Sequence, residues 1–154
     1  MEFCDKQSIE KPIIENLKVT AISDSQITQN DKVKIEISYD VTKDIDTFVA
    51  VTLWDIVRGQ SVVNSNSKKS MSTGKGHHKI NFEIELSSLN DLNIRTYVSI
   101  RDEDGAILAY NLDEQSPTFI LRRSDYPNPN EKTTDAVLFN RGRFIINEKN
   151  NSTK

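Results

Sequence analysis

Apolar and polar side chains alternate along most of this chain. "LKVTAI", starting at residue 17, sets Leu17, Val19 and Ala21 against Lys18 and Thr20, and "KVKIEISYDV" sets Val33, Ile35, Ile37, Tyr39 and Val41 against Lys34, Glu36, Ser38 and Asp40. Successive side chains of an extended strand point to opposite faces, so each stretch predicts a strand with one buried face. "DTFVAVTLWD" at 46–55 is apolar at both parities: Val49, Val51 and Leu53 share one face, while Phe48, Ala50, Thr52 and the chain's only tryptophan, Trp54, share the other. A short "SVVN" follows Gly59, and "KINFEIEL" alternates Ile80, Phe82, Ile84 and Leu86 with Lys79, Asn81, Glu83 and Glu85. "IRTYVSIRDEDGAILAYN" predicts a hairpin turned at Asp104-Gly105, and "TFILR" closes the set. No segment sustains a 3.6 period beyond a turn or so in "LSSLNDL". Strands spaced by turn signals predict an all-β protein, an antiparallel β-sandwich of about seven to ten strands, immunoglobulin-like or alternatively jelly-roll-like.

The pattern also divides the chain. Residues 1–12 read as a flexible N-terminal segment and 13–123 as the sandwich; "SDYPNPNEKTTD" at 124–135, with two prolines, reads as a linker-like loop. Two apolar stretches, "AVLF" and "RFIIN", make 136–147 a C-terminal strand pair, which packs on its own sheet or is exchanged with a second copy in a homodimer. The polar residues 148–154 read as a disordered tail.

Composition narrows the function classes. A chain of 154 residues, 36% of them hydrophobic, is one domain with a thin core. Its 20 basic and 23 acidic residues are mixed along the chain and leave a net charge of -3, without the basic footprint that nucleic acid requires. The lone Cys4 permits no internal disulfide and suits a reducing compartment. The first ten residues carry charge without an apolar run, and no stretch reaches about 18 apolar residues, so neither a leader nor a membrane span is expected and the chain reads as soluble.

Candidate chemistry is thin. Gly74-Lys75 lacks the other glycine and the Ser or Thr of a phosphate loop, Lys69 and Gly76 standing there. His77 and His78 are adjacent and on a strand face opposite ways, which does not suit joint chelation of a metal. "DEDG" at 102–105 runs into apolar "AILAYN" where calcium ligands would have to follow, and reads as a hairpin turn. No two carboxylates are set at a defined separation for glycoside hydrolysis. The reading is therefore of a non-enzyme that needs no cofactor and no metal.

One constellation remains. If the strands at 48–54 and 94–101 lie side by side with Val49, Val51, Leu53, Ile94, Val98 and Ile100 in the core, the outer face carries Thr52, Trp54, Arg95, Tyr97, Ser99 and Arg101. Aromatic rings present flat apolar faces to the C–H faces of sugars, and arginine forks bond carboxylates or phosphates, so this face suits an acidic or modified sugar. The same face also suits packing beneath the excursion at 61–78 or a dimer contact; the pattern leaves both open.

The succession "VKIEISYDV", "FVAVTLWDIVRGQSVVNSNS", a glycine-containing loop, "INFEIELSSLNDLNIRTYVSIRDEDG" and "SPTFILR" resembles, over roughly residues 15–122, the carbohydrate-binding C-terminal domain of Wzt-type ATPase subunits. These belong to ABC transporters that export lipid-linked O-antigen polysaccharide. In that family a short strand ends in Asp, here Asp55, with a turn glycine at Gly59, an Asn-Ser pair at Asn64-Ser65, and an F-x-I strand leading to a leucine turn and a tyrosine strand, here Phe82, Ile84, Leu89, Leu92 and Tyr97. The resemblance implies a homodimer that exchanges its C-terminal strand. It also implies recognition of a glycan's modified non-reducing end on the cytoplasmic side, at the inner face of the inner membrane. The partners implied are an ABC transporter membrane subunit and an ATPase domain; no Walker motif is present, and Met1 would then mark the start of an excised domain. The alternative reading is an Ig-like or fibronectin-like structural or protein-interaction module without sugar binding.

Overall fold

The computed structural model describes residues 11–126 and 136–147. In chain order its strands are β1 (Ile14–Ala21), β2 (Gln26–Ile27), β3 (Lys32–Val41), β4 (Asp46–Asp55), β5 (Gln60–Asn66), β6 (Ser72–Thr73), β7 (Gly76–Glu85), β8 (Leu92–Arg101), β9 (Ile107–Tyr110) and β10 (Thr118–Leu121), with one 3-10 turn at Asp113–Gln115. One sheet has the order β1-β3-β7; the other runs β2-β10-β8-β4-β5, with β9 also on β8 and β6 on β4. Every pairing is antiparallel except the two-residue contact of β2 with β10. This is the all-β sandwich that the alternation predicts. β4 and β8 lie side by side, antiparallel, as the reading of the outer face required.

The core follows the predicted parity. From β3, Val33, Ile35, Ile37 and Tyr39 are fully buried, and the second sheet contributes Val51, Leu53, Ile94, Val98 and Ile100. Burying each large aliphatic side chain stabilises the fold by about 1.5–3 kcal/mol, and a one-residue slip would turn a whole set toward water. Tyr39 brings a hydroxyl into this core, and it bonds the hydroxyls of Thr47 at 2.8 Å and Ser72 at 3.1 Å. The two-residue β6 therefore supplies a polar partner that the buried phenol requires.

Side chains organise the turns. Asp102 accepts the N–H groups of Asp104 and Ala106 at 2.9 Å each, and Gly105 takes φ +86, so "DEDG" is the hairpin turn between β8 and β9. Residues 86–92, the one stretch read as a helical candidate, form a turn instead, with Leu86, Leu89 and Leu92 all buried. Across this turn lies the C-terminal segment: Asn90 donates from its backbone to Val137 O (2.9 Å) and from Nδ2 to Ala136 O (2.9 Å) and Leu138 O (3.1 Å). Phe139 is held between the guanidinium of Arg123, 4.1 Å from its ring centre, and that of Arg141 at 4.8 Å. Residues 136–147 contain one isolated bridge, Leu138 to Leu89, and Phe144, Ile145 and Ile146 are 96%, 75% and 81% exposed. Residues 1–10, 127–135 and 148–154, which hold most of the expected N-terminal segment, most of the linker-like loop and the tail, lie outside the described residues. Among those described, no helix is long and apolar enough to cross a membrane.

Asp55 closes β4. Its buried carboxylate accepts from Arg58 Nη1 at 2.6 Å and from the backbone N–H groups of Val57 (3.0 Å) and Arg58 (3.1 Å), in a turn completed by Gly59 at φ +69. Burial pulls its pKa upward, but the Arg58 bond and the two backbone donors outweigh burial and hold it below the usual carboxylate value. A depressed carboxylate pKa contributes stability that is present above the unfolded-state value near 3.9 and is lost as pH falls through the folded-state value. Asp55→Asn should therefore cost about 1–3 kcal/mol in urea melts at pH 7, and the deficit against the parent protein should shrink as pH falls below the ordinary carboxylate range. Equal stability at pH 7 would remove Asp55 as an organiser of this turn.

Candidate functional site

The register of β4 with β8 brings the predicted residues together. Thr52 lies opposite Tyr97, Trp54 opposite Arg95, Ala50 opposite Ser99 and Phe48 opposite Arg101. Thr52, Trp54, Arg95, Tyr97, Ser99 and Arg101 all project from the outer face of the second sheet, and all six are half-buried. That face is not open to water because a third row of side chains rises beside it. Strand β9 sets Tyr110 opposite Ser99, and the chain then leaves the sheet and builds the 3-10 turn before returning as β10.

Asn111 makes that departure permissible. Its buried side chain takes the place of a strand: Oδ1 accepts from Val98 N at 2.7 Å, while Nδ2 donates to Thr96 O (3.3 Å) and Ser116 Oγ (2.9 Å). Thr96 donates from its backbone N–H and its hydroxyl to Pro117 O, both at 3.0 Å. The edge of β8 is thus satisfied between the part held by β10 and the part held by β9. The turn so held carries Asp113 and Glu114.

A cleft of about 500 Å³ results, within the usual range for small-molecule sites. Thr52, Tyr97, Ser99 and Arg101 line it from the sheet, and Tyr110, Leu112, Asp113 and Glu114 from beyond it. Trp54 and Arg95 stand outside the lining. The indole meets Tyr97 edge to face, with ring centres 6.0 Å apart and planes at 77°, which is a favoured aromatic geometry. Arg95 Nη1 lies 3.9 Å from Asp113 Oδ2, and its buried Nε has no hydrogen-bond partner among the described residues. Tyr97 donates its hydroxyl to Asp113 Oδ1. That bond first, and burial second, raise the pKa of the phenol, so Tyr97 remains a donor to Asp113 across the neutral range.

Arg101 is arranged differently. Its Nε donates to Ser99 Oγ at 3.1 Å, and among the described residues its two terminal nitrogens make no hydrogen bond. The cleft is therefore lined by a guanidinium fork on the sheet, two tyrosine rings, and two carboxylates on the turn. This combination can stack on an apolar ring face, accept from hydroxyl groups and donate in parallel to an anionic substituent. Tyr110 was within reach of the pattern, because a two-residue turn at Asp104-Gly105 pairs residue 99 with residue 110. Asp113 and Glu114 carried no such signal, since their place depends on the long-range bonds of Asn111.

The remaining motifs have local partners. His77 Nδ1 lies 2.6 Å from Asp40 Oδ1 on the outside of the first sheet, whereas His78 packs on the other side against the Tyr39 ring with Nε2 3.0 Å from Gly74 O. The two rings face apart, as adjacent strand residues must.

No protein-family model matches the sequence, and no curated protein matches it. Solved structures do match the fold. The C-terminal domain of Wzt superposes with a TM-score of 0.62 at 12% identity, over 89% of this chain and 86% of that one. The two share a fold. Weaker likenesses are an alkylpurine DNA glycosylase, AlkC, from Pseudomonas fluorescens bound to DNA containing an abasic-site analogue (TM-score 0.45, 17% identity, 71% of this chain and 30% of that one) and the CARDB domain of a Pyrococcus furiosus protein in complex with di-metal ions (0.39, 14%, 75% and 97%).

Proposed function

We propose that this domain is a non-catalytic glycan-binding module whose outer cleft on β4, β8 and β9 receives the modified terminus of a lipid-linked O-antigen polysaccharide for export by an ABC transporter. The observation that carries the reading is the free fork of Arg101 at one side of a cleft walled by Tyr97, Tyr110 and the Asp113–Glu114 turn. The shared fold with the C-terminal domain of Wzt, and the strand-by-strand resemblance that preceded it, supply the export context by analogy. In that setting the domain works at the cytoplasmic face of the inner membrane, attached to an ATPase domain and served by a membrane subunit. Thr52, Tyr97, Ser99 and Arg101 contact the sugar; Trp54 braces Tyr97, and Arg95 backs Asp113.

The domain also pairs with a second copy. Three consecutive large apolar residues, Phe144 to Ile146, stand exposed beyond a segment that Arg123 and Asn90 tie to the sandwich. Exposed apolar runs of this kind mark an interaction surface, and a strand exchanged between identical chains covers both copies at once.

Two measurements test these statements. On a glycan array and in calorimetric titration, glycans with an anionic terminal substituent should bind, Arg101→Lys should weaken them roughly tenfold by losing the planar fork, and neutral analogues should change little. Trp54→Ala should lower affinity through Tyr97 while changing stability by only about 1 kcal/mol, because its ring lies outside the core. Absence of binding at millimolar sugar would overturn the glycan reading. For the pairing, sedimentation at tens of micromolar should give a dimer, and removal of residues 142–154 should release a monomer that keeps Phe139 and melts as before. A monomer before any deletion contradicts it.

A further inference from the structure

We infer that the binding surface does not end at the first cleft but continues over the 3-10 turn into a second glycan subsite, in the seam between β1 and residues 114–117. The inference rests on the reading of the first cleft as a sugar site. A second cleft of about 540 Å³ lies there, lined by residues 17–21 of β1 and by Glu114, Gln115, Ser116 and Pro117. Glu114 belongs to the walls of both clefts, so the turn is a shared partition and not a barrier between distant sites.

The chemistry of the second cleft suits a polyhydroxylated chain. Strand β1 is the edge of its sheet and pairs only with β3, so peptide N–H and C=O groups along its other side are unmet by any strand among the described residues. Lys18 and Glu114, both exposed, add a cation and an anion above a floor to which Val19 and Pro117 contribute apolar surface. Hydroxyl groups donate and accept equally and can use both kinds of backbone group, as well as the charged tips. A β-strand is a poorer occupant of this edge. The bulge at Asn16, with φ +57 and a register shift between Glu15 and Lys18, leaves only Lys18–Ala21 as regular ladder for an added strand.

The shared wall gives the path. With the terminal anionic group on Arg101, a polymer that leaves the first cleft over Glu114 enters the second. A polymer bound at both places gains the second contact as an intramolecular event, so affinity should rise with chain length until both are filled.

The probe is the polysaccharide of the strain that carries the gene, freed of lipid by mild acid and size-fractionated into fragments that retain the non-reducing end. Fragments of four to eight sugars should bind at least about fivefold more tightly than fragments of one or two. They alone should slow amide hydrogen exchange at residues 17–21 and 114–117. Ala21→Trp, which fills the second cleft from an exposed position, and Lys18→Glu, which reverses its cation, should each abolish the length effect while leaving short fragments bound within twofold. Affinity independent of length, or a length effect that survives Ala21→Trp, overturns the second subsite while the first stands. If no fragment of any length binds, the first cleft is not a sugar site and the extension falls with it.

Discussion

The buried side chain of Asn111 is the constraint on which the functional surface depends. β8 is the central strand of its sheet, and its outer edge must find partners along its whole length or leave amides and carbonyls stranded in the interior, at about 1–3 kcal/mol each. β10 serves residues 92–95 and β9 serves 99–101. The interval is closed by an amide side chain that bonds Val98 N, Thr96 O and Ser116 Oγ together, with Pro117 O completing the set on Thr96. Because a side chain does the work of a strand, the backbone is released between Leu112 and Pro117 to stand up from the sheet. A flat face thereby becomes a walled cleft, and the same turn becomes the partition between two clefts.

Within that cleft the electrostatic roles are divided. Asp113 accepts from Tyr97 and lies near Arg95, so it fixes the tyrosine ring while remaining exposed on the cleft wall. Arg101 is held only through Nε by Ser99, which orients the plane of the fork and leaves its two end nitrogens for a ligand. The contrast between Arg95, which lies 3.9 Å from the Asp113 carboxylate, and Arg101, whose fork has no carboxylate beside it among the described residues, is what favours an anionic group on an otherwise hydroxylated ring as the occupant.

Much of this was legible in the sequence where the physics is local. Alternation in β3, β7 and β8 placed the core, and the two-sided apolar character of β4 announced that its outer face was covered. Counting from the Asp104-Gly105 turn would have set Tyr110 beside Ser99, even though a bulge after Ile100 shifts the register near the turn itself. Trp54 could be assigned to a face but not to a role, because whether it contacts a ligand or braces Tyr97 depends on a 6.0 Å ring contact that no periodicity encodes. The carboxylates of the turn, and the clamp of Arg123 on Phe139, join residues far apart in the chain through single side-chain bonds, and such bonds leave no pattern in a one-dimensional reading.

Sugar binding in the cleft above β8 is open to direct observation. Backbone amide NMR of the labelled protein, titrated with the terminal disaccharide of the strain's polysaccharide, addresses it most directly. Shift changes should concentrate at residues 97–101 and 110–114, with β7 and the outer face of the first sheet unmoved. Changes confined to β7 or to residues 142–147, or a titration that leaves 97–101 unmoved at millimolar sugar, would contradict it.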